Sequence, residues 1–129
     1  TFAYEREFFP ALLSAALKAR FANGAQHTLD QYLTARSSLE QWRGRLNDVF
    51  SSYDVLLTPS APGEAPEGLG DTGDALFNRV WSGLHVPAAT VPIGRGAKGL
   101  PIGAQVIGPF GGDERTLAFA ELVHRTVAG

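Results

Sequence analysis

The chain contains no cysteine. A disulfide framework, a thiolate metal site and a cysteine nucleophile are therefore excluded. It contains no methionine either and begins at Thr1, which leads to the expectation of a mature fragment or an excised domain. No apolar run approaches the roughly 20 residues that a membrane span needs, and no signal-peptide pattern opens the chain. Charge of one sign is also missing: a net charge of −2 gives no electrostatic reason to expect nucleic acid or an acidic membrane surface. Lysine is scarce, with Lys18 and Lys98 alone, and the arginines are scattered rather than gathered in a run.

What remains is ordinary globular material, 44% hydrophobic and 19% charged over 129 residues. A single domain of that size buries roughly two-thirds of the surface its unfolded chain exposes. Residues 3–22 carry Phe8, Phe9, Leu12, Leu13, Ala16, Leu17 and Phe21 at helical spacing. Pro10 predicts a break near Phe9, with the proline in the first turn of the better helix, and Asn23-Gly24 predicts its end. Thr28-Leu29-Asp30-Gln31 fits a capping box. A long helix then runs to about Ser51, with Leu29, Tyr32, Leu33, Leu39, Trp42, Leu46, Val49 and Phe50 as its apolar face and Arg36, Glu40, Arg43 and Asp48 directed elsewhere. These two helices suggest an antiparallel hairpin over 1–51.

The remainder, 52–129, reads as strand, helix, strand, strand, helix. Val55 to Thr58 is a buried strand stopped by Pro59. A Pro/Gly/Glu/Asp-rich loop over 59–74 follows, longer than most connections in compact domains. Asp74 is expected to cap a short helix from Ala75 to about Leu84, and strands are expected at 88–93 and 100–107. Asp113 is expected to cap a last helix that buries Leu117, Ala120, Val123 and Val127. The strands at 88–93 and 100–107 suit a hairpin, and a helical crossover from 55–58 to 88–93 would make that pair parallel.

Several motifs suggest chemistry. Gly94-Arg95-Gly96-Ala97-Lys98-Gly99 spells Gly-x-Gly-x-x-Gly after a strand, but a dinucleotide fingerprint must open a helix. Here a strand follows, so the run reads as a hairpin turn. A Ser-His-Asp triad assembled from Ser60 or Ser82 with His85 or His124 lacks a nucleophile elbow. His85 ends a short helix, where its partial charge would help satisfy terminal carbonyls, and His124 reads as a surface histidine. No helical pairing of metal ligands joins His27, His85 and His124. The carboxylate pairs Glu64/Glu67 and Asp71/Asp74 read as solvated charge. Phe77, Asn78 and Trp81 are the substrate-binding candidates: two aromatics and one amide that either line an apolar pocket wall or pack into the core. Trp81 is the best of the three, because a buried indole N–H needs a partner. No residue of the chain is assigned a catalytic role.

Three segments together resemble the C-terminal region of the amidase signature family. They are the Tyr32-x-x-x-Arg36-x-x-Leu39 helix, the strand Tyr53-Asp54-Val55-Leu56-Leu57-Thr58-Pro59, and Gly99-Leu100-Pro101-Ile102-Gly103-Ala104-Gln105-Val106-Ile107-Gly108. The helix after Gly112-Asp113 matches as well. Two positions depart: Ser82 stands where asparagine is frequent in that family, and His85 where glycine is frequent. The resemblance implies an α/β fold, the C-terminal piece of an α/β/α sandwich with about three strands of a mixed sheet and four helices. It implies hydrolysis of amide carbon–nitrogen bonds, or amide-nitrogen transfer, through a serine acyl-enzyme with a second serine, a lysine base and no cofactor or metal. No Gly-Gly-Ser-Ser-Gly-like run occurs here, so the chain alone is expected to be inactive while supplying sheet and one pocket wall. The partners expected are a small-molecule amide in the parent enzyme and further copies of the chain through an open sheet edge, without nucleic acid or membrane. The expected location is cytoplasmic. The alternative is a stand-alone binding module on the same scaffold.

Overall fold

A computed structural model of the chain describes residues 2–128. The chain divides into two compact units, residues 1–38 and 39–129.

The first unit begins with α1 (Ala3–Phe8), a single 3-10 turn (Pro10–Leu12), α2 (Ala15–Gly24) and the start of α3 (Leu29–Phe50). The break near Phe9 occurs as the proline predicts, but Pro10 opens only the 3-10 turn. The stable helix starts five residues later, where the Ser14 hydroxyl accepts the Leu17 N–H at 3.2 Å, an N-cap that satisfies one orphan donor. The Thr28–Gln31 capping box forms in full. Gln31 N–H donates to Thr28 Oγ1 at 3.2 Å, and Thr28 N–H donates to Gln31 Oε1 at 2.9 Å. Of the apolar face expected over residues 3–22, only Leu13, Leu17 and Phe21 are half-buried, while Phe8, Phe9 and Leu12 are exposed. Phe21 gathers the Phe2 ring at 6.0 Å and the Arg6 guanidinium at 5.0 Å, a cation–π contact.

The second unit holds the rest of α3 and a sheet of β1 (Leu56–Pro59), β2 (Ala88–Arg95) and β3 (Pro101–Ile107). Its two remaining helices are α4 (Arg79–Leu84) and α5 (Asp113–Ala128). The strand order is β1-β3-β2 with both pairings antiparallel. β2 and β3 form the expected hairpin. β1 does not pair with β2: both run in the same direction, as a crossover requires, but β3 lies between them. The central place suits β3, whose Gln105, Val106 and Ile107 are all buried and can use neighbours on both sides. Pro59 and Pro92 sit on the outer strands, where a missing N–H leaves no gap in the ladder. A bulge between Pro92 and Gly94 sets the hairpin register.

One face of the sheet packs Val91 and Val106 against Ala120 of α5, with Val55, Ala89, Phe119 and Val123 around them. The face of α5 is thus rotated from the expectation. Thr116 is buried and Leu117 and Val127 are exposed. Thr116 tolerates burial because its hydroxyl donates to the Gly112 carbonyl at 2.8 Å. Its bulk in turn requires a residue without a side chain at Gly108, where a Cβ would collide with Thr116 Oγ1. Asp113 stands in the first turn of α5 beside Glu114, placing negative charge at the positive end of the helix dipole.

Candidate functional site

A cavity of about 560 Å³ opens between the 60–74 loop and the sheet, within the size range of small-molecule sites. Its walls are Ser60–Pro66 and Asp71–Asp74 on the loop side, and Thr90, Pro92 and Pro101–Gly103 on the sheet side. The loop is held at one end by the Ser60 N–H donating to the Gly103 carbonyl at 3.0 Å. At the other end, Asp71 Oδ1 accepts the Gly73 N–H at 2.9 Å and Asp74 meets Arg79 at 3.2 Å. This ion pair is not the expected helix cap. Residues 75–78 form a turn, and α4 starts only at Arg79.

Asn78 precedes α4 but makes no capping bond, because its side chain is engaged elsewhere. Its Oδ1 accepts from Gln105 Nε2 at 2.7 Å, and its Nδ2 donates to the Ser60 carbonyl at 3.3 Å. Thr58 Oγ1 donates to the other end of the same glutamine at 3.4 Å. Gln105 is only 5% exposed, so both ends of its amide need partners, and the network supplies them. Asn78 therefore connects the buried centre of the sheet to the cavity wall at Ser60. Phe77 and Trp81 are half-buried on the same segment, and neither they nor Asn78 line the cavity itself. Two buried polar atoms have no hydrogen-bond partner among the described residues, Trp81 Nε1 and Ser60 Oγ. Ser60 Oγ is wedged against the Cβ-free face of Gly103.

Two charged residues depart from the roles expected of them. Glu64, expected to be solvated, reaches across to the β2–β3 turn. There its carboxylate accepts Lys98 N–H on both oxygens, at 3.0 and 2.9 Å, and Leu100 N–H at 2.8 Å. The Gly-x-Gly-x-x-Gly run is thus a hairpin turn that does bind an anion, and the anion is its own chain's carboxylate. Arg43, expected to point away from the packed face of α3, is half-buried on it with Leu39, Leu46 and Phe50. Its Nε donates to the Leu84 carbonyl at 3.1 Å and its Nη2 to the Gly83 carbonyl at 2.9 Å and to His85 Nδ1 at 3.1 Å. A guanidinium only donates, so His85 Nδ1 accepts. The last two carbonyls of α4, on Gly83 and Leu84, are satisfied by Arg43 rather than by the His85 ring, while the His85 N–H donates to the Ser82 carbonyl.

His85 itself has φ of 56°, a left-handed conformation that favours glycine. This explains in backbone terms why glycine suits the position. Neither Ser60 nor Ser82 hydrogen-bonds a histidine among the described residues, so no Ser-His pair forms. Among those residues, no group of three His, Asp or Glu side chains is arranged to hold a metal ion, and no helix is long and apolar enough to cross a membrane.

Compared with known proteins, residues 3–117 match the family model described as Amidase. The chain belongs to the amidase family. The chain is 34% identical over 116 residues to fatty-acid amide hydrolase 2 of Homo sapiens, covering 87% of this chain and 20% of that protein. It is 37% identical over 87 residues to a component of the glutamyl-tRNA(Gln) amidotransferase of Gluconobacter oxydans (strain 621H), covering 62% of this chain and 18% of that protein. A crystal structure of an amidase superposes with a TM-score of 0.80 at 26% identity, over 92% of this chain and 30% of that one. The chain spans about 20% of the length of the curated relatives it matches. The α/β fold expected from the strand motifs is that of these neighbours.

Proposed function

We propose that this chain is the C-terminal part of an amidase acting on small-molecule amides, and that it supplies sheet and one wall of the substrate pocket. The family match over residues 3–117 carries the reading. The cavity under the 60–74 loop supports it, with proline and isoleucine surfaces for an apolar substrate portion and the Thr90 hydroxyl for polar contact. Phe77, Asn78 and Trp81 stand on the segment beside it, outside the cavity lining, where Asn78 supports the wall by donating to the Ser60 carbonyl. Amide cleavage would proceed through a serine acyl-enzyme, with a second serine and a lysine transferring the proton and backbone N–H groups holding the oxyanion. The Gly/Ser-rich run that provides those serines does not occur in these 129 residues, so the chain alone is inactive.

Incubation of the isolated chain with a fluorophosphonate tests the last point. No time-dependent labelling is expected, and covalent labelling of any serine would overturn it. The outer edges of β1 and β2 have no strand partner among the described residues, and Leu57 on β1 is 59% exposed. Open edges of that kind recruit another strand, so the isolated chain is expected to self-associate. Light scattering at micromolar concentration that gives the mass of one chain would refute this.

A further inference from the structure

We propose that Glu64 is the latch of a lid: the 61–66 stretch covers the cavity while the Glu64 carboxylate occupies the β2–β3 turn, and uncovers it when that contact breaks. The inference goes beyond the amidase reading and does not depend on it. Among the described residues, Glu64 makes the only hydrogen bonds from residues 61–70 to another part of the chain. Within that stretch the Gly63 N–H bonds only to its neighbour Ala61, and Gly63 and Gly68 adopt φ of 110° and 87°. One end is pinned where the Ser60 N–H bonds to the Gly103 carbonyl, and the other runs into the local Asp71–Gly73 turn and the exposed Asp74–Arg79 ion pair. Among the described residues, the hydrogen bonding of that span to the rest of the chain therefore rests on a single side chain.

The receiving turn is built independently of its guest. Gly96 N–H donates to the Leu100 carbonyl at 2.9 Å, Gly99 N–H to the Gly96 carbonyl at 3.0 Å, and Arg95 Nη1 to the Gly99 carbonyl at 2.7 Å. These bonds leave the Lys98 and Leu100 N–H groups directed at one point, a small anion-binding concavity. Charge-assisted hydrogen bonds of this kind are about twice as strong as neutral ones. Gly96 makes room for the carboxylate, since a Cβ there would run into Glu64. Latch and turn thus fit each other sterically and electrostatically across more than thirty residues of sequence. Breaking the contact costs no bond of the β-ladder, so the lid can open over an intact sheet.

Amide hydrogen exchange of the full chain tests this. Glu64→Ala is expected to speed exchange at Lys98 and Leu100 at least tenfold, while β3 amides and the Ser60 amide keep their rates. Glu64→Gln keeps one oxygen able to receive both N–H groups, so its rates should fall between the two. Gly96→Ala provides a second route, because its methyl group expels the carboxylate. It should speed the same two amides in the intact chain and add nothing in the Glu64→Ala background. Unchanged exchange at Lys98 and Leu100 in Glu64→Ala would overturn the proposal, as would a Gly96→Ala effect of equal size with and without Glu64. Should Glu64→Ala fail to fold, Gly96→Ala in the otherwise intact chain decides the matter on the same two amides, and unchanged rates there refute the latch.

Discussion

Glu64 and Arg43 perform opposite halves of one task. Glu64 sends an anion into a turn whose N–H groups converge, and Arg43 sends a cation onto the carbonyls that end α4. Their surroundings differ. Lys98 and Leu100 are exposed, so water can replace the carboxylate. The α4 terminus lies against Leu84, which is 5% exposed, where replacement by water is poorer and an unmet carbonyl costs more. The same interaction chemistry therefore makes a releasable contact in one place and a fixed one in the other.

The largest expected effect is at Arg43. Arg43→Ala should destabilise the chain by about 3 kcal/mol in urea unfolding, because two carbonyls and an imidazole nitrogen lose their donor together. Arg43→Lys should recover only part, since an ammonium cannot span the two carbonyls as the planar fork does. Glu64→Ala should cost about 1.5 kcal/mol, at the low end for a charged hydrogen bond; equal losses at the two sites would erase the contrast. A third test uses the left-handed backbone at the end of α4. His85→Ala should be less stable than His85→Gly by about 1 kcal/mol, both having lost the ring nitrogen but only alanine keeping the steric conflict. Reversal of that order would mean that the chain leaves the φ of 56° at little cost.

Much of this fold is legible in the sequence. The Thr28–Gln31 box and the hairpin turn follow from local patterns, because their partners lie within a few residues, and the three strands follow from short apolar runs bounded by proline or glycine. The position of β3 between β1 and β2 is not legible, since strand order is a property of the whole sheet. Nor is the burial of Thr116, which depends on a hydroxyl finding the Gly112 carbonyl and on Gly108 leaving space. Glu64 and Arg43 escape for a related reason. A turn with converging N–H groups and a helix end with free carbonyls announce that a charge is needed, but not which of many distant side chains supplies it. Local pattern presents Asn78 as a polar contact for a pocket. In the structure its amide joins Gln105 to the Ser60 carbonyl, a link that only the paired strands bring into reach.

The central place of β3 has a consequence for the order in which this polypeptide acquires its shape during synthesis. Of the three strands β1 leaves the ribosome first, but its partner β3 is complete only when Ile107 emerges to meet Leu56. The β2–β3 hairpin closes across a tight turn, with Arg95 meeting Pro101, and has a small loop-closure entropy to overcome. Leu57 and its neighbours must therefore wait for β3 through translation of the loop, α4 and the hairpin. That interval is when chaperone binding or premature pairing with another nascent chain would compete with folding.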